Sequence, residues 1–246
     1  MFNYLIKIEY NGLGFVGWQS QKNGKSIQDV IERVLKKILK SKIRITGAGR
    51  TDKGVHALGQ YANFKTTKKI DNKKKFLESI NFFLKKNLIS VIKIQSKKIN
   101  FHARYNAKKR IYEYLIINRQ SPLTIDKNKA WHIKKKIDLN LLKKGIKIFK
   151  GTHDFSTFRA ASCGANSPIK KMETIIVKKI NSRIYIKFVS KSFLQNQVRS
   201  MVGCLKYLST NKWTLIDFKK AFKSKNRLKC APPAPAEGLY LMDVKY

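Results

Sequence analysis

The order in which hydrophobic periodicities follow one another constrains this chain more than any single residue does. Residues 2–10, FNYLIKIEY, alternate apolar and polar, the period-two pattern of a strand. A glycine-bearing loop, NGLGFVGWQSQKNGK, leads into SIQDVIERVLKKILK. There Ile27, Val30, Ile31, Val34, Leu35 and Ile38 share one helical stripe, and Ser26 stands as a cap with Asp29 three residues on. A short strand at 43–46 and a second at QYANFKT follow. NKKKFLESINFFLKKN then predicts a helix with Phe76, Leu77, Ile80, Phe83 and Leu84 inward, and ISVIKIQSKKI a strand. The order is β-α-β-β-α-β, the ferredoxin-like pattern.

From residue 101 the order roughly repeats. RIYEYLIIN is a strand, DLNLLKKGIKIFK a helix, and METIIVKKINSRIYIKFVS a hairpin turning at Asn181-Ser182. FLQNQVRSMVGCLKYLS predicts a long helix, a shorter one starts at Thr214, and EGLYLMDVKY is a final strand. The expectation is an α+β protein of two ferredoxin-like halves, residues 1–100 and 101–246, with antiparallel-rich sheets flanked by helices and an active cleft between them.

Charge narrows the partners. Among 246 residues, 54 are Lys or Arg and 14 Asp or Glu, a net charge of 54 − 14 = +40. With 43% apolar residues this is a globular protein suited to a polyanion, not a disordered basic tail. Forty-four of the basic residues are Lys, alongside many Ile and Asn, which also fits AT-rich coding. Runs such as Lys73–Lys75 and Lys134–Lys136 therefore read equally as solvated surface or as phosphate contacts. The ten arginines say more, because each suggests a need for a planar fork. Arg50, Arg104, Arg110 and Arg199 fall in the segments discussed below.

Cys163, Cys204 and Cys230 are odd in number and widely spaced, arguing for a reducing compartment and against a disulfide framework. His56, His102, His132 and His153 show no i, i+4 pairing and no CxxC companion, which argues against a metal site. The alternating first ten residues read as a strand, not a signal peptide, and no apolar run reaches the roughly 18 residues of a membrane span. These points lead to an expected cytoplasmic location and no membrane partner.

The loop GAGRTDKGVHALGQ holds one carboxylate, Asp52, flanked by Arg50 and Lys53. Thr51-Asp52-Lys53-Gly54 reads as an ordinary turn with Gly at positive φ, or as a nucleophile in a basic pocket. Gly47, Gly49 and Gly54 would let backbone approach a ligand. The loop is not a P-loop, because Gly follows Lys53, nor a dinucleotide fingerprint, because Asp takes its sixth position. A glycosidase would need a second carboxylate, and none is close in sequence.

Two further segments carry candidate chemistry. FHARYNAKKRIYEYLI interleaves Arg104, Lys108, Lys109 and Arg110 with Tyr105, Tyr112 and Tyr114, the texture of a single-stranded nucleic-acid surface. Tyr112 and Tyr114 face one side of the strand, as stacking platforms or as core. In SFLQNQVRSMVGC, helical geometry alone turns Arg199 toward solvent. The small polar loop RAASCGANSP at 159–168 is a candidate ligand contact.

These residues resemble a known family. GRTDKGVHALGQ is similar to the signature of the TruA family of tRNA pseudouridine synthases. FVGWQSQ with IQDVIERVL, FHARYNAKKRIYEY, DFSTFRA, FLQNQVRSMVG and EGLYLMDVKY follow in the family's order. The chain departs at Gln197, where members commonly carry Met, a difference that bears on local packing. The resemblance implies isomerisation of uridine to pseudouridine at positions 38, 39 and 40 of the tRNA anticodon stem-loop, without metal, cofactor or nucleotide. It implies Asp52 as nucleophile and Arg199 as the charge partner that favours its ionised form. Arg50 would fill the space of a flipped nucleotide, and Tyr112 would stack on the uracil. Phe101, His102, Ala103, Arg104 and Tyr105, with Ser162, Cys163, Gly164, Ala165 and Asn166, would touch tRNA. Members are homodimers, so one tRNA would bridge two subunits. The rival reading is a non-catalytic RNA-binding protein or tRNA chaperone of the same fold.

Overall fold

A computed structural model describes all residues 1–246, and the chain divides into two compact units. One comprises Met1–Lys108 with Tyr240–Tyr246, the other Lys109–Leu239. The boundary thus falls after residue 108 instead of 100, and the chain's last residues return to the first unit. Hydrogen bonding explains this. Lys108 N donates to Lys245 O at 2.7 Å, Tyr246 Oη to Ala103 O at 3.0 Å, and Ala103 N to Asn63 Oδ1 at 2.8 Å. Residues 101–108 are therefore tied to the first sheet.

In the first unit, strands β1 (Phe2–Tyr10), β2 (Ile45–Gly47), β3 (His56–Thr66) and β4 (Ile89–Lys97) alternate with helices α1 (Ile27–Leu39) and α2 (Lys73–Leu84). β1 lies antiparallel between β3 and β4, with Ile6 opposite Ala62 and Ile94, and β2 pairs antiparallel on the other side of β3. The spatial order 4-1-3-2 is that of the ferredoxin-like unit. The final strand, β10 (Leu239–Lys245), adds a parallel pairing of Tyr240 and Leu241 with His56 and Ala57.

The predicted helical stripes form much of this core. In α1 the buried set is Ile27, Val30, Ile31, Val34, Leu35 and Leu39, so Leu39 takes the place expected of Ile38. Ser26 caps the helix, accepting from Asp29 N at 3.0 Å and donating to its carboxylate at 2.6 Å. In α2 only Phe76, Ile80 and Leu84 are fully buried. Leu77 and Phe83 flank that i, i+4, i+8 line and stay half-exposed, because one packed face does not span the whole apolar arc.

In the second unit, β5 (Lys109–Asn118) pairs antiparallel with β9 (Arg183–Ser190), β9 with β8 (Ile169–Ile180), and β8 with β7 (Gly151–Asp154). The hairpin turns at Asn181-Ser182 as expected, with Asn181 in the left-handed region at φ 52°. Two short strands escape sequence reading: β7, and β6 (Trp131–Ile133), which runs parallel to β5. Helices α3 (Leu139–Phe149), α4 (Gln197–Ser209) and α5 (Leu215–Lys223) complete the unit. Phe149, Phe155, Phe158, Phe218 and Phe222 form an aromatic cluster with ring centroids 5.2–6.4 Å apart. Gly145 lets α3 approach α4, since a Cβ there would stand 2.7 Å from a methyl of Leu205 and 2.8 Å from one of Leu208. No helix is long and apolar enough to cross a membrane.

Candidate active-site loop and RNA-facing segments

The Asp52 loop joins β2 to β3, and its backbone is fixed from several directions. Ala48 N donates to Tyr61 O at 2.7 Å, and Gln60 Nε2 to Gly49 O at 2.9 Å. Thr51 is buried, its hydroxyl bonded to Tyr10 Oη at 2.8 Å and its carbonyl to Trp18 N at 3.1 Å. Val55 N donates to Asp52 O at 3.1 Å, closing a turn in which Gly54 takes φ +79°. The turn that Thr51-Asp52-Lys53-Gly54 spells is therefore present. It does not compete with a chemical role, because it fixes the backbone while Asp52 stays half-exposed between exposed Arg50 and Lys53.

The first glycine loop is the other wall of this support. Gly17 has φ +114°, and a Cβ there would stand 2.7 Å from Thr51 O. Gly12 lies under Val55, where a Cβ would meet the carbonyl oxygen at 2.1 Å, and its N–H donates to His56 Nδ1 at 3.0 Å. Gly47 faces the Trp18 indole at a distance that leaves no room for a Cβ. Gly47 is thus explained by packing against Trp18. Gln60, Trp18 and Gly17 are the positioning residues that sequence reading passed over. Their types carry no chemical signal, and only the fold brings them together.

Segment 98–106 leaves β4 and passes over β1 and β3 of the same sheet. Asn3 Nδ2 donates to Phe101 O at 2.9 Å and to Lys98 O at 3.0 Å, and Asn63 bonds Asn3 at 3.0 Å. Ala103 is fully buried and Phe101 half-buried, with its ring 5.1 Å from that of Tyr246. The side chain of Ala103 is consequently an anchor and cannot serve as the RNA contact expected of it. What this anchor displays is an exposed stack: His102 on Tyr105 at 4.2 Å, with the Arg104 guanidinium 5.8 Å from the Tyr105 ring centre. Tyr105 is 73% exposed.

In the second unit β5 presents Tyr112 and Tyr114 on one face, and their environments differ. Tyr114 is fully buried, its hydroxyl donates to Pro235 O at 2.7 Å, and burial pushes that hydroxyl's pKa well up. It is a core residue with a satisfied hydroxyl. Tyr112 is largely buried, with its ring edge-on to Phe193 at 5.2 Å. Arg110 on the same strand donates to Lys191 O.

Arg199 does not hang in solvent as helix geometry alone implied. Its Nε donates to Ala234 O at 2.8 Å and its Nη1 to Asn196 Oδ1 at 3.2 Å, while its own carbonyl accepts from Ala234 N at 2.9 Å. The predicted helix began at Phe193, but α4 starts at Gln197. Asn196 sits before it at φ 62°, so the preceding residues leave the helical path. Gln197 is fully buried: Oε1 accepts from Leu194 N at 2.8 Å, and Nε2 has no partner. That is a polar cost the apolar Met of the family pattern would avoid.

The 159–168 loop is organised by Arg159, whose Nη2 donates to Cys163 O at 2.6 Å and Ala165 O at 2.7 Å. Cys163 is buried, with Gln195 N donating to its sulfur at 3.4 Å. Ser162, Gly164 and Asn166 are exposed, and Ala165 is half-exposed. Arg159 was legible in principle, as one of ten arginines in a lysine-dominated chain.

The structure thus shows a braced glycine loop with one carboxylate between cations, on a strongly basic α+β chain that carries an exposed cation–aromatic stack. Comparison with known proteins gives the family. The sequence model described as tRNA pseudouridine synthase matches residues 6–106 and 146–246. The tRNA pseudouridine synthase A of Pelagibacter ubique (strain HTCC1062) is 55% identical over the full length of both chains. Those of Maricaulis maris (strain MCS10) and Parvibaculum lavamentivorans are each 41% identical over all of this chain, and over 98% and 100% of their own length. The chain belongs to the tRNA pseudouridine synthase family, whose members are isomerases.

Proposed function

We propose that this enzyme converts uridine to pseudouridine at positions 38, 39 and 40 of the tRNA anticodon stem-loop, with no metal, cofactor or nucleotide. Asp52 is the nucleophile. It adds either to ribose C1′ or to the uracil ring, and the glycosidic C–N bond breaks. The retained uracil turns over and C5 bonds to C1′. The bond to Asp52 breaks to return the carboxylate, and C5 gives up its proton while N1 gains one. Arg50 fills the space of the everted nucleotide and holds its phosphate, since chemistry on a stacked base needs extrusion at a cost of a few kcal/mol. Tyr112 stacks on the uracil and keeps it from leaving. Arg199 is the cation that stabilises the ionised carboxylate.

The observation that carries the reading is the loop around Asp52. Its neighbours Ala48, Gly49 and Thr51 are each hydrogen-bonded to residues of the first unit outside the loop, and Val55 N closes the turn on Asp52 O. A carboxylate on so fixed a backbone suits attack at one defined atom. Arg104, His102 and Tyr105, with exposed Ser162, Gly164 and Asn166, supply the tRNA surface. Phe101 and Ala103 support the first group, and Cys163 and Ala165 the second. The enzyme works in the cytoplasm as a homodimer, one tRNA bridging two subunits. Incubation with unmodified tRNA, followed by carbodiimide treatment and reverse transcription, tests the activity. New stops at the anticodon-stem uridines are the expected result, and tRNA binding with no new stop contradicts it.

A further inference from the structure

Cys204 and Cys230 take no part in the proposed reaction, yet their sulfurs lie 3.5 Å apart. Cys204 is buried on α4, and Cys230 is half-exposed at the end of the short 3-10 turn Arg227–Lys229. The strap that follows is pressed against the helix. Ala231 N donates to Cys204 Sγ at 3.4 Å, and a Cβ on Gly203 would stand 2.1 Å from Pro232 O. The strap ends at Ala234, whose carbonyl holds Arg199 Nε and whose N–H bonds Arg199 O. Arg227 reaches the same helix through Ser200 Oγ at 3.1 Å.

We propose that Cys204 and Cys230 are an oxidant-responsive dithiol, whose closure to a disulfide shifts the 230–234 strap and reversibly lowers turnover through Arg199. The effect on turnover rests on the functional reading of Arg199. The pair is nearly in place, since closure brings the sulfurs from 3.5 Å to about 2.05 Å. Cys230 is the attacking sulfur. The hydrogen bond with Cys204 and then the Arg227 guanidinium hold its thiol below the usual value against the pull of burial, while the same hydrogen bond, with burial, pushes Cys204 up. With a peroxide as oxidant, the Cys230 thiolate attacks one oxygen, an S–O bond forms, and the O–O bond breaks. The departing hydroxide takes a proton and leaves as water. The Cys204 sulfur then displaces the hydroxyl from the Cys230 sulfenic acid, and its thiol proton leaves with that hydroxyl as a second water. Two thiols lose two electrons, and the peroxide becomes two waters. A dithiol reductant reverses the change.

The test treats the full chain with hydrogen peroxide, maps cross-linked peptides by mass spectrometry, and measures pseudouridine formation before and after dithiothreitol. The expected result is a 204–230 cross-link lacking two hydrogens, a several-fold fall in turnover, and recovery on reduction. Cys230→Ser and, as a second variant, Cys204→Ala should keep their activity through the same treatment. Absence of the cross-link, or an equal fall in the variants, overturns the dithiol. A cross-link with unchanged turnover overturns the link to Arg199. Arg199→Lys, assayed without oxidant, then tells whether the fault lies with the strap or with the role given to Arg199.

Discussion

Asp52 owes its position to residues that have no chemistry of their own. Its backbone neighbours are held by Tyr10, Trp18 and Gln60, and by glycines whose missing Cβ makes room for the Thr51 and Val55 carbonyls. Asp52→Asn keeps the shape and removes the nucleophile, so turnover should fall by roughly a thousandfold or more while tRNA affinity changes little. Single-turnover kinetics beside a filter-binding curve would separate the two. Gly17→Ala forces a side chain onto φ +114° and into Thr51 O. It should cost about 1–3 kcal/mol in urea unfolding and lower kcat more than it raises KM, although residue 17 carries no functional group. Tyr112→Phe keeps the ring that would stack, so its binding loss should be modest, and complete loss of binding would rule out stacking. Asp52 and Arg50 stand out in the sequence because acids and arginines are rare in a lysine-rich chain, whereas the role given to Arg199 came only from the family resemblance. The bracing was not legible, because Gly, Trp and Gln signal nothing until the fold apposes them.

Among the elements, most matched expectation, and the exceptions were two short strands and one bent helix start. α1 was spelled by its stripe and its Ser26 cap, and Ser26→Ala should destabilise by about 1 kcal/mol, readable as a lower urea midpoint. β6 and β7 have three and four residues, too few for a period to register. The first turn predicted for α4 was lost because Asn196 adopts a left-handed backbone, which no periodicity reports. β10 carries a pH-dependent tie. Asp243 pairs with Lys245 at 2.5 Å and Lys7 at 3.6 Å. Burial works to raise its pKa, but is outweighed by the hydrogen bond from Lys245 and the charges of Lys7 and Lys245, which leave the carboxyl below its ordinary 3.8. A depressed folded value stabilises above that ordinary value, and the contribution drains away as pH falls through the folded one. Asp243→Asn should therefore reduce stability at neutral pH and flatten the acid limb of the stability curve. An unchanged acid limb would show that the tie contributes nothing.

For the molecule as a whole, charge is the dominant sequence fact, and the structure gives it little internal use. With 54 cations and 14 carboxylates, at least 40 cations cannot be matched one to one by acid. A polyanion is their natural counterpart, and tRNA affinity should fall steeply and log-linearly with salt as counterions are released. A flat salt response would return the lysine excess to coding bias. Family membership at 55% identity over the full length sets the reaction class, while the residue roles are those proposed above from the family resemblance. The most direct measurement is a carbodiimide map of one unmodified tRNA incubated with the wild-type enzyme and with Asp52→Asn. The account predicts pseudouridine stops in the anticodon stem with the wild type and none with the variant. Stops of equal strength in both would contradict it.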